Sequence, residues 1–84
     1  MRNEHFDVPV TVESGRRGQR VVTDTVQAAE LLIERWPKNE RGAKYREALR
    51  ACMDVMEQRK AVASARKAFI AAAKEAHVFV REGR

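Results

Sequence analysis

Apolar residues first recur at every second position: Phe6, Val8, Val10 and Val12 alternate with Asp7, Pro9, Thr11 and Glu13, the period of a half-buried strand. Pro9 has no amide proton for a ladder, so the pattern predicts an unpaired side or a bulge there. Ser14-Gly15-Arg16-Arg17-Gly18 holds two glycines and no apolar side chain and reads as a hairpin loop. Gln19 to Thr23, with Val21 and Val22, is then the returning strand. Next the period becomes helical. Asp24 followed three residues later by Gln27 fits a capping box, which starts a helix at Thr23 or Asp24. Val26, Ala29, Leu32, Ile33 and Trp36, widened by Leu31, form its expected buried stripe. Pro37 disfavours helical geometry in the residue before it, so the helix ends at Trp36.

After the short polar connection Lys38 to Gly42, helical spacing resumes at Ala43. Tyr45, Ala48, Leu49, Cys52, Met53 and Met56 form the apolar stripe, and Lys44, Glu47, Arg50, Asp54 and Glu57 lie outside it. Arg50 and Asp54, four apart, are spaced to pair. Neither glycine nor proline interrupts Glu57-Gln58-Arg59-Lys60, yet the phase does. At 3.6 residues per turn the stripe continued from Met56 reaches Lys60, Ala63 and Lys67, whereas the next apolar set is Val62, Ala65, Phe69, Ala72, Ala73 and Ala76. One straight helix cannot bury both sets. It would also be about 51 Å long, against an expected radius of gyration of about 12 Å. A break therefore falls between Glu57 and Ala61, and an alanine-rich third helix follows, its small side chains suited to close packing. Val78-Phe79-Val80 is a short third strand that joins the N-terminal hairpin. The expected architecture is α+β: a small antiparallel sheet on three helices, in the order ββαααβ.

Composition narrows the class without naming a function. Eighty-four residues, 44% hydrophobic and 35% charged, make one domain with one thin core. A single cysteine, Cys52, rules out an internal disulfide framework. No stretch has the length or apolarity of a membrane span, and MRNEHFDVPV does not resemble a leader, so the chain reads as soluble and cytoplasmic, with no membrane partner. The net charge of +5 favours an anionic partner only modestly. Basic residues are spread from Arg2 to Arg84 and many sit beside an acidic one, as Glu34 does beside Arg35, which describes a solvated mixed-charge surface.

The strand around Val8-Pro9-Val10, Glu34-Arg35-Trp36-Pro37 closing the first helix, Gly42, Cys52, and the run Ala65-Arg66-Lys67-Ala68-Phe69-Ile70 with Ala72, Ala73, Glu75 and Ala76 together form an ordered pattern over nearly the whole chain. In that pattern the chain resembles a family of small alphaproteobacterial proteins grouped as domain of unknown function 982. The family often places a glycine after the second helix and another before the last strand; here those positions hold Gln58 and His77. The resemblance implies the architecture and brings no activity, cofactor or site.

The residues themselves offer little chemistry. Cys52 on an apolar stripe is expected to be a packed core thiol. Cys52, His5 and His77 lack metal-ligand spacing, so no metal, no cofactor and no catalytic residue is proposed, and the chain is read as non-enzymatic. His5 and His77 would approach each other if the first and last strands pair. Trp36 is expected to anchor the core with its N–H bonded near the surface, the sharper alternative being a partner contact. Arg66, at the edge of the third helix's stripe, is expected to pair with an acidic group or a carbonyl, with ligand binding as the minority reading. Arg16, Arg17, Arg20, Trp36 and Arg66 are thus the candidate partner or anion contacts. The leading function is a protein-interaction or regulatory domain that joins an unknown protein partner or a second copy, with an exposed edge expected at the Pro9 strand. The alternative is weak nucleic-acid binding through the basic loop Arg16 to Arg20.

Overall fold

The computed structural model describes residues 5–14 and 18–83, and Arg16 and Arg17 fall outside them. Within it the chain runs β1 (His5–Glu13), β2 (Gln19–Asp24), α1 (Thr25–Glu34), a single 3-10 turn (Lys38–Glu40), α2 (Ala43–Met56), α3 (Val62–Glu75) and β3 (Phe79–Glu82). This is the ββαααβ order of an α+β fold. The antiparallel sheet has strand order β2-β1-β3 and the Cα radius of gyration is 11.6 Å.

The strand holding Pro9 is central and not, as expected, at an edge. β1 pairs with β2 through Val10–Val22, Thr11–Val21 and Val12–Arg20, and with β3 through Val10–Glu82 and Thr11–Arg81. Proline is tolerated there because the β1–β2 register shifts between His5 and Val10, while the Pro9 carbonyl accepts from the Gly83 N–H at 2.8 Å. Val10, Val12 and Val22 are buried against the helices. Thr11 points to the opposite face and is nonetheless buried, because its cross-strand neighbours Val21 and Arg81 flank it. Antiparallel pairing also separates the two histidines. His5 pairs with Asp24 at one end of β1, whereas His77 precedes Phe79, which pairs with Val12 near the other.

The start of α1 is fixed by a reciprocal pair of bonds. Asp24 Oδ1 accepts from the Gln27 N–H at 2.8 Å, and Gln27 Oε1 accepts from the Thr23 N–H at 2.9 Å, one residue earlier than in the usual box. The helix stops at Glu34, two residues before Trp36. Its buried face is Thr25, Ala28, Ala29, Leu31 and Leu32. Val26 and Ile33, expected in the core, are 45% and 60% exposed, because α1 turns its small face toward the sheet and α2 together. Tyr45 secures that contact by donating its hydroxyl to the Leu32 carbonyl at 2.9 Å.

α2 and α3 form the most extensive helix pair, made possible by Ala65, Ala72 and Ala73, which let the backbones approach. The break between them lies where the phase change put it. Both helices end in the same motif. After α2, the Gln58 N–H bonds the Val55 carbonyl and the Arg59 N–H bonds the Asp54 carbonyl; after α3, the His77 N–H bonds Lys74 and the Val78 N–H bonds Ala73. These are Schellman caps, whose pivot residue is left-handed. The pivots are Gln58 (φ 65°) and His77 (φ 62°), the two non-glycine residues of positive φ among the described residues.

The core closes around Trp36, whose ring lies 5.6 Å from that of Phe69 and 6.3 Å from that of Tyr45. Its Nε1–H, expected to bond near the surface, finds no acceptor among the described residues, since packing between the two rings sets its orientation. The Trp36 carbonyl accepts from Arg41 Nη2 at 3.3 Å, and the Arg41 guanidinium lies 5.2 Å over Tyr45.

Candidate protein-interaction surface

The candidate contacts do not converge. Arg16 and Arg17 lie outside the described residues. Arg20 is exposed on β2 and borders a small cleft with Gln27, Glu30 and Glu34, so its surroundings are acidic as much as basic. Trp36 is in the core. Arg66 serves as a brace: its Nε donates to the Val8 carbonyl at 2.8 Å and its Nη2 pairs with Glu82. With a side chain only 20% exposed, Arg66 ties α3 to the irregular part of β1 and to β3. It is thereby engaged within the fold.

Cys52 is fully buried, and desolvation pushes its thiol up to about 12 from 9.0, so it is neutral and unreactive near neutral pH. Among the described residues no three His, Cys, Asp or Glu side chains gather to hold a metal. No helix is long and apolar enough to cross a membrane, again among the described residues.

The outer face of α2 carries an exposed apolar side chain among unpaired charges. Gly42 caps this helix, and a Cβ there would come within 3.1 to 3.3 Å of the Glu75 carboxylate, so glycine lets a negative group from the end of α3 approach the positive end of α2. Tyr45, Ala48, Cys52 and Val55 face the core. Residues roughly half a turn away, including Ala43, Arg46, Arg50, Met53, Asp54 and Glu57, line an open groove of about 670 Å³. Met53, expected on the buried stripe, is 55% exposed in it, while Val55 is buried instead. The rotation follows from α2 having to face both α1 and α3.

Two exposed ion pairs flank this face, Lys44–Glu47 at 3.7 Å and Arg59–Glu57 at 3.5 Å, and such pairs contribute little. Arg50 and Asp54 do not pair, against the expectation from their spacing. The cation precedes the anion here, which is the less favourable order along a helix. Arg46, Arg50 and Asp54 are all without an ion pair among the described residues. The order of charge also opposes the helix dipole: the first turn has no acidic residue and the last no basic one. Sequence reasoning put the charges outside but missed Met53 among them. The signal that could have found it was spacing: Met53 lies seven residues after Arg46 and three after Arg50, on the same helical face as those charges.

A second opening lies on the uncovered face of the sheet, about 350 Å³ between Pro9, Thr11, Val21, Thr23, Arg81 and Gly83. There the buried Thr11 hydroxyl has no partner among the described residues.

Residues 8–80 match the family described as a protein of unknown function, DUF982. The chain belongs to this family. No curated protein and no solved structure matches it. The matched span runs from the middle of β1 into β3, so it takes in all three helices and most of the core, and it assigns no chemistry to them.

Proposed function

We propose that this DUF982 chain is a non-enzymatic protein-interaction domain that works through the outer face of α2. The observation that supports it is the exposed Met53 set among Arg46, Arg50 and Asp54, three charges with no ion pair within the described fold. A flexible apolar side chain ringed by charge is the composition of a docking surface with a polar rim. A free thiol is at home in a reducing cytoplasm, where we place the protein. The nucleic-acid alternative would need a cationic patch, and the cleft at Arg20 instead mixes Glu30 and Glu34 with Arg35.

The test is affinity capture from native cells with the wild type and Met53→Glu side by side. A partner held by the wild type and lost by the variant is the expected result. Partners retained equally by both, with no self-association of the purified protein, would refute the reading.

A further inference from the structure

The unmet charges on α2 are arranged so that the same helix, turned end for end, satisfies them. Of the groove's charges, Glu47 pairs with Lys44 and Glu57 with Arg59, which leaves Arg46 and Arg50 unpaired toward the N-terminal end and Asp54 toward the C-terminal end, with Met53 beside them. We propose that a second copy of this chain docks on this face with its α2 antiparallel to the first, about a two-fold axis passing between Arg50 and Asp54. This deepens the interaction reading above and rests on it.

In that arrangement residues whose numbers sum to about 104 lie opposite one another. Arg50 meets Asp54 of the second copy, and by symmetry Asp54 meets its Arg50. One turn further out the Lys44–Glu47 pair of one copy faces the Arg59–Glu57 pair of the other, a contact of mixed sign that adds little, so the Arg50–Asp54 pairs set the register. The two Met53 side chains pack across the axis, where a thioether adapts its shape to its mate. Each Asp54 also comes to rest toward the positive end of the facing helix, and each Arg46 toward the negative end. The charge order that opposes the dipole within one chain therefore favours it between two. A parallel arrangement would instead place like charges together.

The contact is small. Fourteen residues of helix are about 21 Å long, and one face of such a helix falls well short of the roughly 800 Å² per partner of a standard interface. The dimer is accordingly weak, concentration-dependent and sensitive to salt.

Sedimentation equilibrium of the full chain from about 10 µM to about 1 mM reads this directly, in a concentration range suited to weak association. The wild type is expected to shift from monomer to dimer at about 0.1 M salt and to remain more monomeric at about 1 M, where the screening length falls from about 10 to about 3 Å. Arg50→Asp alone and Asp54→Arg alone are each expected to associate at least about tenfold more weakly, since each sets like charges against each other. An equimolar mixture of the two is expected to recover association as a heterodimer, because every facing pair then becomes opposite in sign. Both positions lie off the core, and circular dichroism checks each fold; Arg50→Gln and Asp54→Asn replace any variant that fails it and are expected to weaken association less.

A wild type that stays monomeric at the highest concentration overturns the inference, as does a dimer indifferent to both reversals or a mixture that fails to recover. In all three cases the interaction reading is decided separately by whether Met53→Glu loses a captured partner.

Discussion

Replacing Gln58 and His77 by glycine should stabilise the protein, although both changes delete side chains. Each residue is the left-handed pivot of a Schellman cap, at φ 65° and 62°. A side-chain-bearing residue gives up about 1 to 2 kcal/mol in that region through the crowding of Cβ against the following carbonyl. Glycine escapes this but has a more disordered unfolded chain, a term of about 0.4 to 1 kcal/mol. The net expectation is about 0.5 to 1 kcal/mol per site. The pivots sit at opposite ends of α3, about 21 Å of helix apart, so the double variant should gain about 1 to 2 kcal/mol. For a domain of this size each kcal/mol raises Tm by about 4 to 8 °C. Thermal and urea unfolding measure the gain, with the urea midpoint rising and the slope unchanged. Lys67→Gly, on the exposed side of α3, is the control and should lose about 1 kcal/mol. If Gln58→Gly and His77→Gly destabilise as Lys67→Gly does, the left-handed pivots are not strained and the reasoning fails.

Arg66→Ala should cost about 1 to 2 kcal/mol, since it removes a charge-assisted bond to the Val8 carbonyl and a partly exposed pair with Glu82. Glu82→Gln should cost less, and urea melts of the two variants would show whether the carbonyl bond dominates. Cys52 should resist an aromatic disulfide reagent at pH 8 in the folded protein and react at once in denaturant, because folding buries the thiol and raises it to about 12. The folded form then holds a proton that the unfolded form releases above about pH 9. Stability attributable to this group is therefore intact below pH 9 and falls as pH rises toward 12, an effect that Cys52→Ala should abolish in a pH series of urea melts.

The element order was legible because each boundary carries a local cause. Asp24 and Gln27 cap α1, Pro37 prevents its continuation, and the phase mismatch between Met56 and Val62 forces a break without glycine or proline. What periodicity did not show is the rotation of each helix. A stripe of apolar residues spans more than the core takes up, so the neighbours decide which edge is buried. On α1 they take Ala28 and Leu31 and leave Val26 and Ile33 outside; on α2 they take Val55 and leave Met53. Pro9 predicted an unpaired side or a bulge, and the structure takes the bulge in a central strand where an exposed edge was expected. Proline excludes one backbone donor, and a shifted register meets that exclusion as well as a free edge does.

The same ambiguity hid the candidate surface. Read as sequence, Met53 belongs with Leu49 and Met56, and Arg50 and Asp54 belong with each other. The fold dissolves both groupings at once. Turning α2 toward α3 exposes Met53 in one groove with Arg46, Arg50 and Asp54, yet Arg50 and Asp54 remain apart because the cation comes first. Reversing the order by exchanging them, Arg50→Asp with Asp54→Arg in one chain, should let the pair close within the helix and relieve the dipole at its end. The monomer should then be more stable by a few tenths of a kcal/mol. Cross-copy pairing also survives the exchange, with both signs inverted, so dimerisation should persist but weaken as the intrahelical pair competes for the same groups. A monomer left no more stable than the wild type would show that charge order is not what leaves these groups unpaired.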